Sequence, residues 1–170
     1  HAPVDPTPGA GVPVDLAGWN VDFAVGGSVK WLCGGPGAGY LYVRQDLAAE
    51  LHPMSTGWQA HARPFAFEPG EIAWGAPEWR FLNGTPNIPA LCAAEPGYRI
   101  IREIGVDRIR RRSIRLTRLL LDEARAAGLI TRCPKDEAHR GGTVALAVPD
   151  AEAVCQELIR RGFLVDYRPG

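Results

Sequence analysis

Ser28-Val29-Lys30-Trp31-Leu32-Cys33-Gly34-Gly35-Pro36-Gly37-Ala38-Gly39, running into Tyr40-Leu41-Tyr42-Val43-Arg44, is the stretch that decides the fold. Before it, the apolar run Val21–Val25 reads as a short strand stopped by Gly26-Gly27. After it, Tyr40–Arg44 reads as a second strand. The glycines between them lack the G-x-x-x-x-G-K-[ST] pattern, and a strand stands where a dinucleotide-binding fold needs a helix. The run therefore joins two strands by a tight turn and is not a nucleotide-phosphate cradle.

Lys30 stands out inside this stretch. Lys and Arg together number 19, yet the sequence contains only two lysines, Lys30 and Lys135. Arginine serves the charged surface almost everywhere, so a lysine set among Val29, Trp31 and Leu32 invites a chemical reading: ammonium has a titratable proton and guanidinium effectively has none. Apolar neighbours are expected to desolvate the amine and favour its neutral, nucleophilic form. The alternative is a lysine whose stem merely covers apolar surface. Lys135, in the polar run Cys133–Glu137, needs no such explanation.

Working outward, residues 1–13 are rich in Pro, Gly and Ala and read as an irregular lead-in, and Asp15–Asn20 as a turn of helix. Gln45–Leu51 reads as a brief helix. His52–Asn87, with Trp58, Trp74 and Trp79 among many Gly and Pro, reads as a long ordered loop of the kind that carries function. Ile88 to about Ala127 is helical, with an interruption expected at Pro96-Gly97 and an apolar stripe through Ile101, Ile104, Ile109, Leu116, Leu120 and Ala124. Gly128 is its expected C-cap. The tail alternates: strands at Leu129–Arg132, Thr143–Val148 and Phe163–Tyr167, and a helix between Asp150 as N-cap and Gly162 as terminator. That makes a small α+β unit.

Composition narrows the function classes. The 170 residues carry 19 basic and 19 acidic side chains, so no net field favours nucleic acid or an anionic membrane. Eight arginines between Arg99 and Arg118 are expected to form a solvated or interdomain helix face. No apolar run approaches the roughly 20 residues of a membrane-spanning helix. Cys33, Cys92, Cys133 and Cys155 form no C-x-x-C pair or zinc-finger spacing, so free thiols in a reducing, cytoplasmic setting are expected, and no metal. No secretory leader is recognisable.

In combination, Ser28–Val43, the approach Pro13–Gly27, Gly57-Trp58-Gln59-Ala60-His61 and Arg80-Phe81-Leu82-Asn83-Gly84-Thr85-Pro86 resemble the class V aminotransferase superfamily, most closely its kynureninase-like branch. The resemblance runs from about Pro13 to the end. It implies an α/β fold: the C-terminal part of a fold-type I large domain over residues 1–95, then a linking helix and an incomplete small α+β domain over 96–170. It implies pyridoxal 5'-phosphate as cofactor, with Lys30 bonded to its aldehyde and shuttling the substrate α-proton. Ser28, Trp58 and Thr85 would lie near the cofactor phosphate, Trp58 and Thr85 across a homodimer interface. His61 remains a candidate only. The substrate would be a small amino acid of the kynurenine type, hydrolysed to alanine and an aromatic acid, with neither nucleic acid nor membrane as partner.

Two departures shape these expectations. Val29 occupies the position where kynureninases usually carry Tyr and desulfurases His, which leaves the reaction open. The residues that stack on the cofactor ring and pair with its pyridine nitrogen belong to an earlier half not recognisable before Pro13, and the residues from Val165 to Gly170 stop short of the substrate-gripping arginine. A fragment that binds cofactor weakly and turns over little is therefore expected. A class V aminotransferase, a cysteine desulfurase-like enzyme and a non-catalytic remnant of the scaffold are the alternatives.

Overall fold

The computed structural model describes the backbone of Pro3 and Val4 and all of residues 12–169. Its elements are β1 (Pro3–Val4), β2 (Phe23–Gly27), β3 (Gly39–Val43), α1 (Gln45–Glu50), α2 (Ile88–Ile104), α3 (Val106–Ala126), β4 (Ile130–Thr131), β5 (Leu146–Ala147) and α4 (Ala151–Arg160). Two compact units result, divided between Arg108 and Ile109.

In the first unit β2 and β3 pair antiparallel, with Val25 opposite Leu41 and Gly27 opposite Gly39. The Gly-Pro turn between them works as the sequence indicates: Gly35 and Gly37 take φ of 69° and 92°, a region closed to most side chains. Asp22 and Arg44 staple the open end of this hairpin through a 2.7 Å ion pair. Pro3–Val4 pairs parallel with Phe23–Ala24, so the lead-in is not wholly irregular; the rest of the expected lead-in, except residues 12 and 13, lies outside the described residues. Residues 52–87 form the anticipated long connection, with 3-10 turns at Trp58–Ala60 and Pro64–Ala66.

The helix α2 corrects the reading at Pro96. It runs unbroken through Pro96 and stops only at Gly105, φ 83°. Proline removes one ladder hydrogen bond, a cost that tertiary packing can offset. Here Ala90, Ala94 and Gly97 recur on one buried face, where Ala90 and Ala94 meet Ala38 in a small core. Asn87 caps the helix, its side-chain oxygen accepting from Ala90 N at 3.2 Å.

In the second unit α3 buries Thr117, Leu121 and Ala124, whereas Leu116 and Leu120 of the expected stripe are exposed. The stripe is thus rotated by about one residue. β4 and β5 pair antiparallel over two residues each. Asp150 precedes α4 as expected but makes no side-chain cap; it sits at φ 48°, a conformation Asp tolerates at a tight turn. Gly162 ends the helix region at φ 88°. Phe163–Tyr167 is not a strand: it adds to neither sheet, and Phe163 N instead donates to Leu158 O at 2.9 Å, closing the end of α4. No helix among the described residues is long and apolar enough to cross a membrane.

Candidate active site

Lys30 lies on a loop whose base is built on Ser28. The backbone N–H of Ser28 donates to Ala38 O at 3.0 Å, tying the loop to the start of β3, and Gly34 N donates to Ser28 O at 2.7 Å, closing it. The Ser28 side chain, wholly buried, hydrogen-bonds the Tyr98 hydroxyl on α2. Within the loop, Cys33 N donates to Lys30 O at 3.0 Å, and Cys33 takes φ 55°. Ser28 is therefore held at three atoms while the residues after it turn outward.

That outward turn overturns the expected burial of Lys30. Lys30 is exposed, and its neighbours Val29 and Trp31 are 53% and 49% exposed. The loop is anchored at its two ends, and its middle projects into water. Its side chain makes no hydrogen bond or ion pair with any described residue. Chemically, Lys30 is an accessible, uncommitted primary amine on a pinned loop.

Trp58 and Thr85 belong to a second cluster. A Cβ added to Gly57 would fall 1.6 Å from Asn83 O, so only glycine lets these two backbones meet. A Cβ on Gly84 would lie 3.8 Å from Trp58 Nε1, which places the indole N–H beside the segment carrying Thr85. Arg80 fixes the same segment, its Nη1 donating to Ala49 O at 2.6 Å and its Nε to Gly75 O at 3.2 Å. Trp58 also meets Phe65 edge-on, ring centroids 5.4 Å apart.

His61 is positioned rather than free. Its Nδ1 accepts from Arg63 N at 2.9 Å, which assigns the proton of the neutral ring to Nε2, 3.9 Å from Glu68 Oε2. Glu68 also pairs with Arg63. Thr56, Trp58, His61, Arg63, Phe67 and Glu68 contribute to a cavity of about 230 Å³, which Lys30, Ser28 and Thr85 do not line.

The structure thus joins Ser28 with Lys30 and Trp58 with the Thr85 segment, while no described hydrogen bond, ion pair or ring contact links the two pairs. Sequence reasoning missed Tyr98. A signal existed: Tyr98 follows Gly97 and stands four residues after Ala94 on the small-residue face of α2. Among the described residues no group of three or more His, Cys, Asp or Glu side chains could hold a metal ion.

Comparison with known proteins identifies the family. The family model of the class-V aminotransferases matches residues 9–165. The kynureninase of Pseudomonas fluorescens is 37% identical over 163 residues, covering 92% of this chain and 39% of that enzyme. The chain therefore spans about two fifths of the length of such relatives. Among solved structures, the apo cysteine desulfurase of Thermococcus onnurineus NA1 superposes with a TM-score of 0.80 at 25% identity, over 94% of this chain and 40% of its own. A C-DES mutant with glycine covalently linked to its PLP cofactor superposes at 0.73 and 20% identity, over 89% of this chain and 40% of its own. The chain belongs to the class-V aminotransferase family.

Proposed function

We propose that this chain is the lysine-bearing part of a kynureninase-like, pyridoxal-phosphate-dependent enzyme acting on an amino acid. The observation that carries the reading is Lys30: one of two lysines, exposed, uncommitted, and on a loop whose base is fixed at three atoms of Ser28. The residues present fit the cofactor at the points where its chemistry needs them. An aldehyde requires an amine with no competing partner, and Lys30 has none among the described residues. A phosphate requires N–H and O–H donors; the Trp58 indole N–H and the exposed Thr85 hydroxyl are of that kind. Ser28 fits less well as a direct ligand, since its hydroxyl is buried against Tyr98.

Bound pyridoxal phosphate would supply an aldehyde for amine exchange and a ring that draws electrons from the substrate carbon. Lys30 Nζ would hold the cofactor at rest and, when released, take up and return a substrate proton. Trp58 and Thr85 would orient the phosphate, reaching it from the second subunit of a homodimer. The 37% identity to kynureninase favours hydrolysis of a kynurenine-type substrate to alanine and an aromatic acid. The likeness to a cysteine desulfurase supports a second reading, C–S cleavage. Unpaired Cys33, Cys92, Cys133 and Cys155 suit a cytoplasmic setting.

The test adds pyridoxal phosphate to the chain, reduces with borohydride, and maps the modified lysine by mass spectrometry. Condensation loses water and borohydride supplies the hydride, so only a lysine that has reacted keeps the label. A yellow absorbance band, bleached on reduction and lost in Lys30→Ala, is expected. Label on Lys135 alone, or none, refutes the reading. With substrate, alanine plus anthranilate supports the first reaction and alanine plus persulfide the second.

A further inference from the structure

We infer that Tyr98 is a positioning residue for Lys30, acting through Ser28; this rests on the reading of Lys30 as the cofactor-bearing amine. The geometry that carries it is the anchoring of the loop from Ser28 to Gly34 on one face of α2. At the loop's far end, a Cβ on Gly34 would lie 2.9 Å from Ala94 Cβ, and one on Gly97 would lie 2.3 Å from Cys33 O. Those contacts fix backbone against helix. At the near end, the side-chain tether among the described residues is the Ser28–Tyr98 hydroxyl pair, spanning seventy positions in sequence. Lys30 follows Ser28 by two residues and its side chain has no partner among the described residues, so its placement is inherited from Ser28.

The pair is asymmetric. Ser28 is wholly buried, whereas Tyr98 is 38% exposed. Without the phenol, the Ser28 hydroxyl is a buried polar group that has lost its partner, and the loop base has lost its side-chain tether to α2. Without the serine, the Tyr98 hydroxyl can turn to solvent. Tyr98 therefore constrains the loop more than Ser28 constrains Tyr98. A cofactor held by its phosphate presents its aldehyde within a limited region, so a displaced amine loses reaction rate even while fully accessible.

Lys135 makes the effect measurable inside one molecule. The experiment compares Lys30 and Lys135 modification in the full chain by pyridoxal phosphate with borohydride, and separately by acetic anhydride, which needs an accessible neutral amine but no seated cofactor. The wild-type chain is expected to favour Lys30 with pyridoxal phosphate. Tyr98→Phe is expected to lower that Lys30:Lys135 ratio about five-fold, the population change of roughly one hydrogen bond, with the acetic anhydride ratio unchanged. Adding Ser28→Ala to Tyr98→Phe removes the orphaned hydroxyl and restores thermal stability, but the loop base still lacks its tether to α2, so the ratio stays low; this variant carries the test should Tyr98→Phe unfold. A wild-type chain without preference for Lys30 overturns the function and the inference together. A wild-type preference that survives Tyr98→Phe unchanged overturns the inference alone, as does an equal fall with both reagents, which would mean lost access rather than lost position.

Discussion

Two helix–loop contacts, one within each unit, use opposite chemistry. On α2 the contacting residues are Ala90, Ala94 and Gly97, so small that loop backbone rests on helix backbone. On α3 the contact to the loop 133–140 is made by long side chains. Arg110 reaches Arg140 O at 2.7 Å, Arg118 Nε reaches Glu137 Oε1 at 2.6 Å, and buried Arg140 folds back onto Pro134 O and Lys135 O at 3.1 and 3.2 Å. The first contact is defined by the absence of atoms, the second by their reach. A contact without side chains fixes distance closely and tolerates nothing added. A contact through arginine forks tolerates displacement of the backbone and suffers when donors are removed. The loop carrying Lys30 has the rigid kind, as a reacting group requires.

The largest expected effect comes from adding one methyl to the first contact. In Gly97→Ala the new Cβ would sit 2.3 Å from Cys33 O and 2.8 Å from Leu32 O, both backbone atoms that move only if the loop moves. Overpacking of this kind costs about 3 kcal/mol, enough to lower the thermal midpoint by several degrees. Gly141→Ala is the control: no atom lies within 4 Å of its Cβ. Equal midpoints for the two variants in a thermal melt would break the comparison, because the α2 contact would then have slack.

Next in size is removal of donors from the second contact. Arg140→Met keeps the apolar stem and deletes the guanidinium, leaving the Pro134 and Lys135 carbonyls without that partner. A loss of about 2 kcal/mol is expected, read as faster amide exchange in residues 133–147 with the Lys30 loop unchanged. Arg140→Lys should recover only part of it, since an ammonium cannot reproduce the fork.

The same contrast explains what the sequence made legible. The hairpin around the glycine run was readable because its signals are local: apolar runs, breakers, and backbone angles that glycine permits. The helix α4 with Gly162 was readable for the same reason. Features that depended on a distant partner were not. The apolar neighbours of Lys30 suggested burial, but which way a turn faces is decided by where its ends are anchored, and one anchor is Tyr98, far along the chain. Pro96 signalled a break that packing on the α2 face overrode. Phe163–Tyr167 has strand composition but joins neither sheet. At the site, the residue types were legible in Lys30, Trp58 and Thr85. The dependence of Lys30 on Ser28 and Tyr98 was not.

The smallest effect sharpens the comparison at the surface, where arginine forks meet water. Glu157 accepts from Arg160 Nε and Nη2 at 2.8 and 2.7 Å and from Arg161 Nε at 2.6 Å. These hydrogen bonds, Arg160's first and Arg161's second, hold its carboxyl below the ordinary value. A depressed carboxyl stabilises the fold above its unfolded value and loses that contribution as pH falls through the folded one. Glu157→Gln should therefore lower the urea midpoint slightly at neutral pH and match the wild type at roughly pH 2, where both side chains are uncharged. Salt near 1 M, with a Debye length of about 3 Å, should shrink the neutral-pH difference. Buried Arg140 should be less sensitive to the same salt, because its Nη1 donates to two carbonyls at 3.1 and 3.2 Å while its ion pair with Glu137 is longer, at 3.7 Å. A wild-type advantage over Glu157→Gln that persisted in acid would mean that the side chain acts by packing rather than by charge, and the distinction between the surface fork and the buried one would fail.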